Sequence, residues 1–276
     1  RLGIKVGLEH TNELLRQCGS PHRGLKTIHI AGTNGKGSTA AMIQAILRES
    51  GLKVGLYTSP HLIRFNERIR INGSPISDKS IIDFMTQFTG AIDEIEATFF
   101  EVTTVLALHY FSNQEVDVAV IETGLGGRLD STNVIEPELT IITSVDLDHQ
   151  HILGETLIDI AVEKAGIIKK QTPVLVASQA PQVIDVIRKK AQESNSPIIY
   201  CNNPQKIIID HHSTCFELDK KKYSVPLIGA HQAINAGLAI RAVMHHLPDM
   251  KQKEIQSGLN NTKWFGRFQP LIKNLP

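Results

Sequence analysis

Apolar residues along the chain fall into two recurring patterns. Short runs rich in β-branched residues, such as Thr27-Ile28-His29-Ile30 and Val116 to Ile121, alternate with longer stretches of helical period. Short continuous apolar runs suit strands buried on both faces, and the longer period suits helices with one apolar face. The alternation predicts an α/β fold, a mostly parallel sheet covered by helices. Strands are expected at 27–30, 53–57, 116–121, 139–143, 174–176 and 198–200. Helices are expected at 38–49 with Gly51 as its stop, from an N-cap at Ser77-Asp78 through Phe88, and at 102–111, 156–168, 183–191 and 229–244. A shorter helix is expected at 248–258. Between Lys206 and Val225 the pattern changes to short alternating stretches, which predicts a small antiparallel addition at the sheet edge. No internal repeat or low-complexity linker interrupts the series.

Composition narrows the class. The chain has 276 residues, 41% of them hydrophobic, enough for one large domain or one domain with part of a second. A formal net charge of +1 gives no bulk field to hold nucleic acid or a membrane surface, so neither partner is expected. Cys18, Cys201 and Cys215 form an odd set without metal or redox spacing, which fits a reduced, cytoplasmic chain. No apolar run approaches the ~20 residues of a membrane span. Lys5, Glu9 and Glu13 interrupt any signal-peptide core.

The candidate chemistry begins at Gly32-Thr33-Asn34-Gly35-Lys36-Gly37-Ser38-Thr39. A glycine-rich turn between a buried strand and a helix aims backbone N–H groups at one anion, and the helix dipole reinforces that field. Lys36 adds a mobile full charge for the β- and γ-phosphates. The stretch departs from the common G-x-x-x-x-G-K-[ST] form twice. Ile30 stands where the first glycine would be, and Gly37 separates Lys36 from the hydroxyl of Ser38. If Gly37 replaces the usual magnesium-binding hydroxyl, the ion needs ligands from elsewhere.

Three polar segments at the ends of expected strands offer them: Tyr57-Thr-Ser-Pro-His61, Glu122-Thr-Gly-Leu-Gly-Gly-Arg128 and Ser144-Val-Asp-Leu-Asp-His149. Open α/β sheets bind ligands at such strand ends. A carboxylate, a hydroxyl and an imidazole could hold magnesium while leaving positions for phosphate oxygens and water. Singly, Glu122 could cap a turn and His149 could be a surface histidine; together, beside one phosphate loop, they point to a site.

At these residues the sequence resembles the folylpolyglutamate synthases, a branch of the Mur ligase superfamily. The resemblance is carried by Ala31-Gly-Thr-Asn-Gly-Lys-Gly-Ser38, Tyr57-Thr-Ser-Pro-His61, Phe65-Asn-Glu-Arg-Ile69, Phe100-Glu-Val-Thr103 and Glu122 to Arg128. It continues through Asp130-Ser-Thr-Asn133, Asp148-His149, Glu163-Lys-Ala-Gly-Ile-Ile168, His231-Gln232 with Asn235, and Gly266-Arg-Phe-Gln269. It implies a P-loop NTPase-like central domain over 1–270, a linker starting at 271–276, and a C-terminal glutamate-ligase domain outside this chain. It implies ATP contacts at Asn34, Gly35, Lys36, Gly37, Ser38, Thr39, Asn235 and Arg267, and magnesium at Ser59, Glu122 and His149. Folate or pteroate contacts would fall on Phe100, Glu101, Leu129, Asp130 and Ser131. Lys164 would be a lysine that carbon dioxide converts to a carbamate, and Lys36, Lys164 and His149 would be the catalytic set. The implied activity is ATP-dependent amide ligation of L-glutamate to the tail of tetrahydrofolate, or also to dihydropteroate, through an acyl phosphate, in a monomer. A peptidoglycan-precursor ligase and a non-catalytic nucleotide-binding fragment are the alternatives, and without the C-terminal domain this chain is expected to lack turnover on its own.

Overall fold

The computed structural model describes residues 7–266. Its main sheet runs β4-β3-β2-β5-β1-β6-β7-β8, with β1 (Thr27–Ala31), β2 (Val54–Tyr57), β3 (Ile69–Ile71), β4 (Ser74–Pro75), β5 (Val118–Glu122), β6 (Leu139–Ile142), β7 (Val174–Val176) and β8 (Ile198–Tyr200). The six strands β2, β5, β1, β6, β7 and β8 are parallel, and β3 and β4 extend one edge antiparallel. The helices are α1 (Glu9–Gln17), α2 (Lys36–Arg48), α3 (Asp78–Ile95), α4 (Phe99–Asn113), α5 (Gln150–Leu153), α6 (Leu157–Ala165), α7 (Pro181–Glu193), α8 (Ala230–His246) and α9 (Gln252–Asn260).

Strand geometry sends successive side chains to opposite faces, and the core divides accordingly. On one face Ile28 and Ile30 of β1, Val118 and Val120 of β5, and Leu139 and Ile141 of β6 pack with α2, α8 and α9. On the other face Ala119 and Ile121 of β5 join Leu14, Phe84 and Phe111 from α1, α3 and α4. Farther along that face, Ile142, Val174 and Val176 meet Ile160 of α6 and Val183 and Ile187 of α7. Both faces of the sheet are apolar because both are covered, which is why its strands read as continuous apolar runs.

The expected antiparallel addition is a three-stranded sheet of its own, β9 (Gln205–Ile209), β10 (Thr214–Leu218) and β11 (Lys221–Val225), in the order β11-β10-β9. Phe216 and Tyr223 pair directly across β10 and β11 with rings 5.8 Å apart, and they pack into the core beneath α8. Caps fix several helix starts. Ser77 accepts from the Ser80 N–H, while Thr98 with Glu101 and Thr156 with Asp159 form capping boxes.

Helix α6 ends at Ala165 rather than 168. Asn133 Nδ2 donates to the carbonyl of Gly166, and the Arg128 backbone crowds Gly166, so a neighbouring loop takes over where the helix stops. Helix α1 and the β3–β4 hairpin lie outside the elements expected from the pattern. The hairpin turns at Asn72-Gly73, both with positive φ (49° and 84°), the conformation a tight two-residue turn demands.

Candidate functional site

Strand β1 ends at Ala31, and the chain turns through Gly32-Thr33-Asn34-Gly35 into α2, whose first residue is Lys36. Gly35 caps the helix in the left-handed region, φ 85°, and a Cβ there would lie 2.2 Å from Asn235 Oδ1. The loop therefore needs glycine at this point for both its conformation and its contact with α8. The loop is tied to the end of β6. Thr33 N–H donates to the Ser144 carbonyl, Thr143 Oγ1 donates to the Asn34 carbonyl, and Thr33 Oγ1 donates to the Asp146 carbonyl.

Beside it opens a cavity of ≈ 700 Å³ at the C-terminal ends of the central strands. Asn34, Gly35, Lys36, Gly37 and Ser38 form its floor, Ser59, Glu122 and His149 one side, and Gln232 and Asn235 of α8 another. Of the expected ATP contacts from Asn34 to Thr39, Thr39 alone does not line it, being buried within α2.

Glu122 is the last residue of β5 and 4% exposed. Its Oε2 accepts the Ser59 N–H at 3.1 Å, which draws the loop after β2 toward β5. His149 is largely exposed and caps the short helix α5 with φ 48°. Among the described residues no group of three His, Cys, Asp or Glu side chains could hold a metal ion. A carboxylate, a hydroxyl and an imidazole lining one cavity still fit an ion that takes most of its ligands from phosphate and water, as magnesium does.

Lys36 Nζ donates to the carbonyls of Gly32 and Thr33, and Lys164 Nζ donates to the same Gly32 carbonyl at 2.9 Å. Two ammonium groups thus converge behind the phosphate loop. Burial, then the charge of Lys36, pushes the Lys164 pKa down to about 8, against the pull of Asp148 and Asp130. A buried lysine whose neutral form is accessible near neutrality is the state that addition to carbon dioxide requires.

The expected folate-side residues are placed differently. None of Phe100, Glu101, Leu129, Asp130 and Ser131 lines the cavity. Glu101 is buried, closes the Thr98 capping box and lies 3.7 Å from His10 Nδ1. The Phe100 ring packs behind Gly124, where a Cβ would meet it at 2.3 Å. Leu129 is half-buried and Ser131 buried, the latter at the start of a 3-10 turn over Ser131–Val134. The Asp130 carboxylate accepts from the N–H groups of Gly124, Leu125 and Thr132 and from the Thr132 hydroxyl. Burial raises its pKa, and those donors offset part of the rise. Thr132 in turn meets Nε2 of His29 on β1 at 2.9 Å. His29 is wholly buried, which lowers its pKa to about 3, so the ring is neutral. Because the Thr132 hydroxyl gives its proton to Asp130, Nε2–H of His29 donates to the Thr132 oxygen. Sequence reasoning missed this chain from β1 to the 124–127 loop; a polar residue at the centre of an apolar strand was its one signal. Arg267 lies outside the described residues.

These features define a phosphate-loop α/β domain that can take a nucleotide at the strand ends. The model for the Mur ligase middle domain matches residues 30–243. The dihydrofolate synthase/folylpolyglutamate synthase of Bacillus subtilis is 39% identical over all of this chain and 69% of its own length. The folylpolyglutamate synthase of Lacticaseibacillus casei is 36% identical, over 94% of this chain and 65% of its own length. Its ligand-free structure superposes with a TM-score of 0.92 at 35% identity, covering 99% of this chain and 71% of that one. A folylpolyglutamate synthase complex with AMPPCP and folate superposes at 0.90 and 36% identity, covering 96% of this chain and 69% of that one. The chain belongs to the folylpolyglutamate synthase/dihydrofolate synthase family of Mur ligases, and spans about two thirds of the length of these relatives.

Proposed function

We propose that the protein takes part in ATP-dependent ligation of L-glutamate to the glutamate tail of a folate, with dihydropteroate as a second acceptor. The observation that carries this reading is the single cavity that joins the phosphate loop to Glu122, Ser59 and His149, with Lys164 directly behind the loop. Folate binding by a relative of this fold supports the substrate class. ATP would lie over the start of α2, where loop amides, the helix dipole and Lys36 meet its phosphates. Asn235 and Gln232, joined by a 3.1 Å hydrogen bond, present amide groups to the nucleoside end. Glu122, Ser59 and His149 would hold magnesium, which neutralises phosphate charge when bound.

With the triphosphate fixed, a folate carboxylate attacks the γ-phosphorus, and ADP leaves. The amine of glutamate then attacks the acyl phosphate, releasing phosphate and leaving an amide. The protein's part is positioning and electrostatics. Carbamylation of Lys164 would convert the repulsion between Lys164 and Lys36 into attraction, fixing the Lys36 ammonium against the loop. The three free cysteines support a cytoplasmic setting. Among the described residues no helix is long and apolar enough to cross a membrane.

The test is positional isotope exchange in ATP. Exchange that needs folate but not glutamate is expected, and its failure in a ligating enzyme would remove the acyl phosphate. Because the chain spans about two thirds of its relatives, calorimetry with Mg·ATP is run beside the ligation assay. ATP binding without ligation would mark these 276 residues as a nucleotide-binding module.

A further inference from the structure

Trp264 is the chain's one tryptophan, and its ring lies against the phosphate loop. A methyl group on Gly37 would sit 2.5 Å from Cζ2 and 3.2 Å from Cε2 of that ring. The first distance is well inside carbon–carbon contact, so the indole edge occupies the place a side chain at 37 would take. The same methyl would lie 3.4 Å from Oε2 of Glu122. The indole edge, the start of α2 and the Glu122 carboxylate therefore meet at one point.

The rest of the ring packs against the core formed with α2, α8 and α9. Its Nε1 is buried and has no hydrogen-bond partner among the described residues, so shape rather than polar pairing sets its position. Two residues on, a Cβ at Gly266 would lie 3.1 Å from Leu62 Cδ1, just beyond the Ser59-Pro60 wall of the cavity. Residues 264–266 thus reach from the first turn of α2 to the loop that carries Ser59.

We infer that Trp264 is a positioning residue of the nucleotide site, a peg that sets the first turn of α2 against Glu122 and the Ser59 loop. It also accounts for the glycine inserted between Lys36 and Ser38: position 37 stays bare because the indole is there. The nucleotide part of this inference rests on the function proposed above; the loop-positioning part does not.

A double-mutant cycle tests it. Alanine is the better helix former, so without a clash G37A would raise the melting temperature. We expect G37A to lower it in the wild-type background and to leave it unchanged or raise it in W264A, with W264F intermediate. An equal effect of G37A in both backgrounds would overturn the inference. In ligand-free protein, amide exchange across 33–39 is expected to speed up in W264A and to return toward wild type in W264F; unchanged exchange in W264A would reduce the indole to a space-filler. Mg·ATP affinity by calorimetry is expected to fall roughly tenfold in W264A and to recover in W264F. Unaltered affinity in W264A would also overturn the positioning role. A wild-type chain that binds no ATP would sink the nucleotide reading and leave the stability cycle and exchange to decide on Trp264.

Discussion

The segments on the two sides of β5 carry similar residue types and use them in opposite ways. On the phosphate-loop side, Lys36, Glu122, Ser59, His149 and Asn235 surround one cavity and present charged or polar atoms to it. On the other side, Glu101 and Asp130 spend their carboxylates on the protein itself. One closes a capping box, and the other gathers three backbone N–H groups and a hydroxyl. Buried acids that accept from their own backbone hold a scaffold, whereas an acid at a strand end facing a cavity is available for chemistry. The second side therefore shapes the first, since Asp130 fixes the loop that starts two residues after Glu122.

The largest effect that would sharpen this contrast is in E122Q. Ligation is expected to fall by about 10²–10³ while the melting temperature stays near wild type, because a glutamine still accepts the Ser59 N–H. Near-normal turnover would break the contrast at its strongest point. K164M comes next, with ligation lost by at least ~tenfold and stability at neutral pH unchanged or raised, since a buried cation is removed.

The pH dependence of that pair has a definite sign. Between about 8 and the ordinary lysine value of 10.5, the unfolded chain holds a proton on Lys164 that the folded chain does not. Wild-type stability therefore rises with pH across this window relative to K164M, which paired thermal melts would show. Carbon-13 NMR with labelled bicarbonate reads the carbamate directly, and its signal should grow as pH rises through about 8.

On the scaffold side, D130N is expected to cost about 1–3 kcal/mol, read by denaturant unfolding, because an amide cannot accept from all four donors. A D130N protein of full stability that lost only folate binding would place Asp130 in the substrate site instead. The smallest effect belongs to T98A, about 1 kcal/mol from the lost cap, with Mg·ATP affinity untouched.

Much of this was legible along the chain because the rules that govern it are local. The parallel strands showed as apolar runs, the phosphate loop as glycines between a strand and a helix, and the helix of residues 78–95 by its Ser77 cap. The β3–β4 hairpin was equally local, since Asn72-Gly73 is a turn signal; the flanking strands of three and two residues were too short to show a period. Other features had no local sign. His29 reads as one polar interruption in β1, and its partner Thr132 is 103 residues away. Trp264 reads as one aromatic after a short helix, 227 positions beyond the Gly37 it covers.

The sequence alone determined the α/β class, the phosphate loop and its two departures, and which residues could carry nucleotide chemistry. Those properties follow from backbone geometry and side-chain type within a few residues of one another. Tertiary structure decided which of the polar residues face a common cavity and which are consumed in holding loops. It alone brought Lys164 to the carbonyl of Gly32 and lowered its pKa. Both outcomes depend on burial and on distances between elements far apart in the chain, and burial is a property of the packed whole.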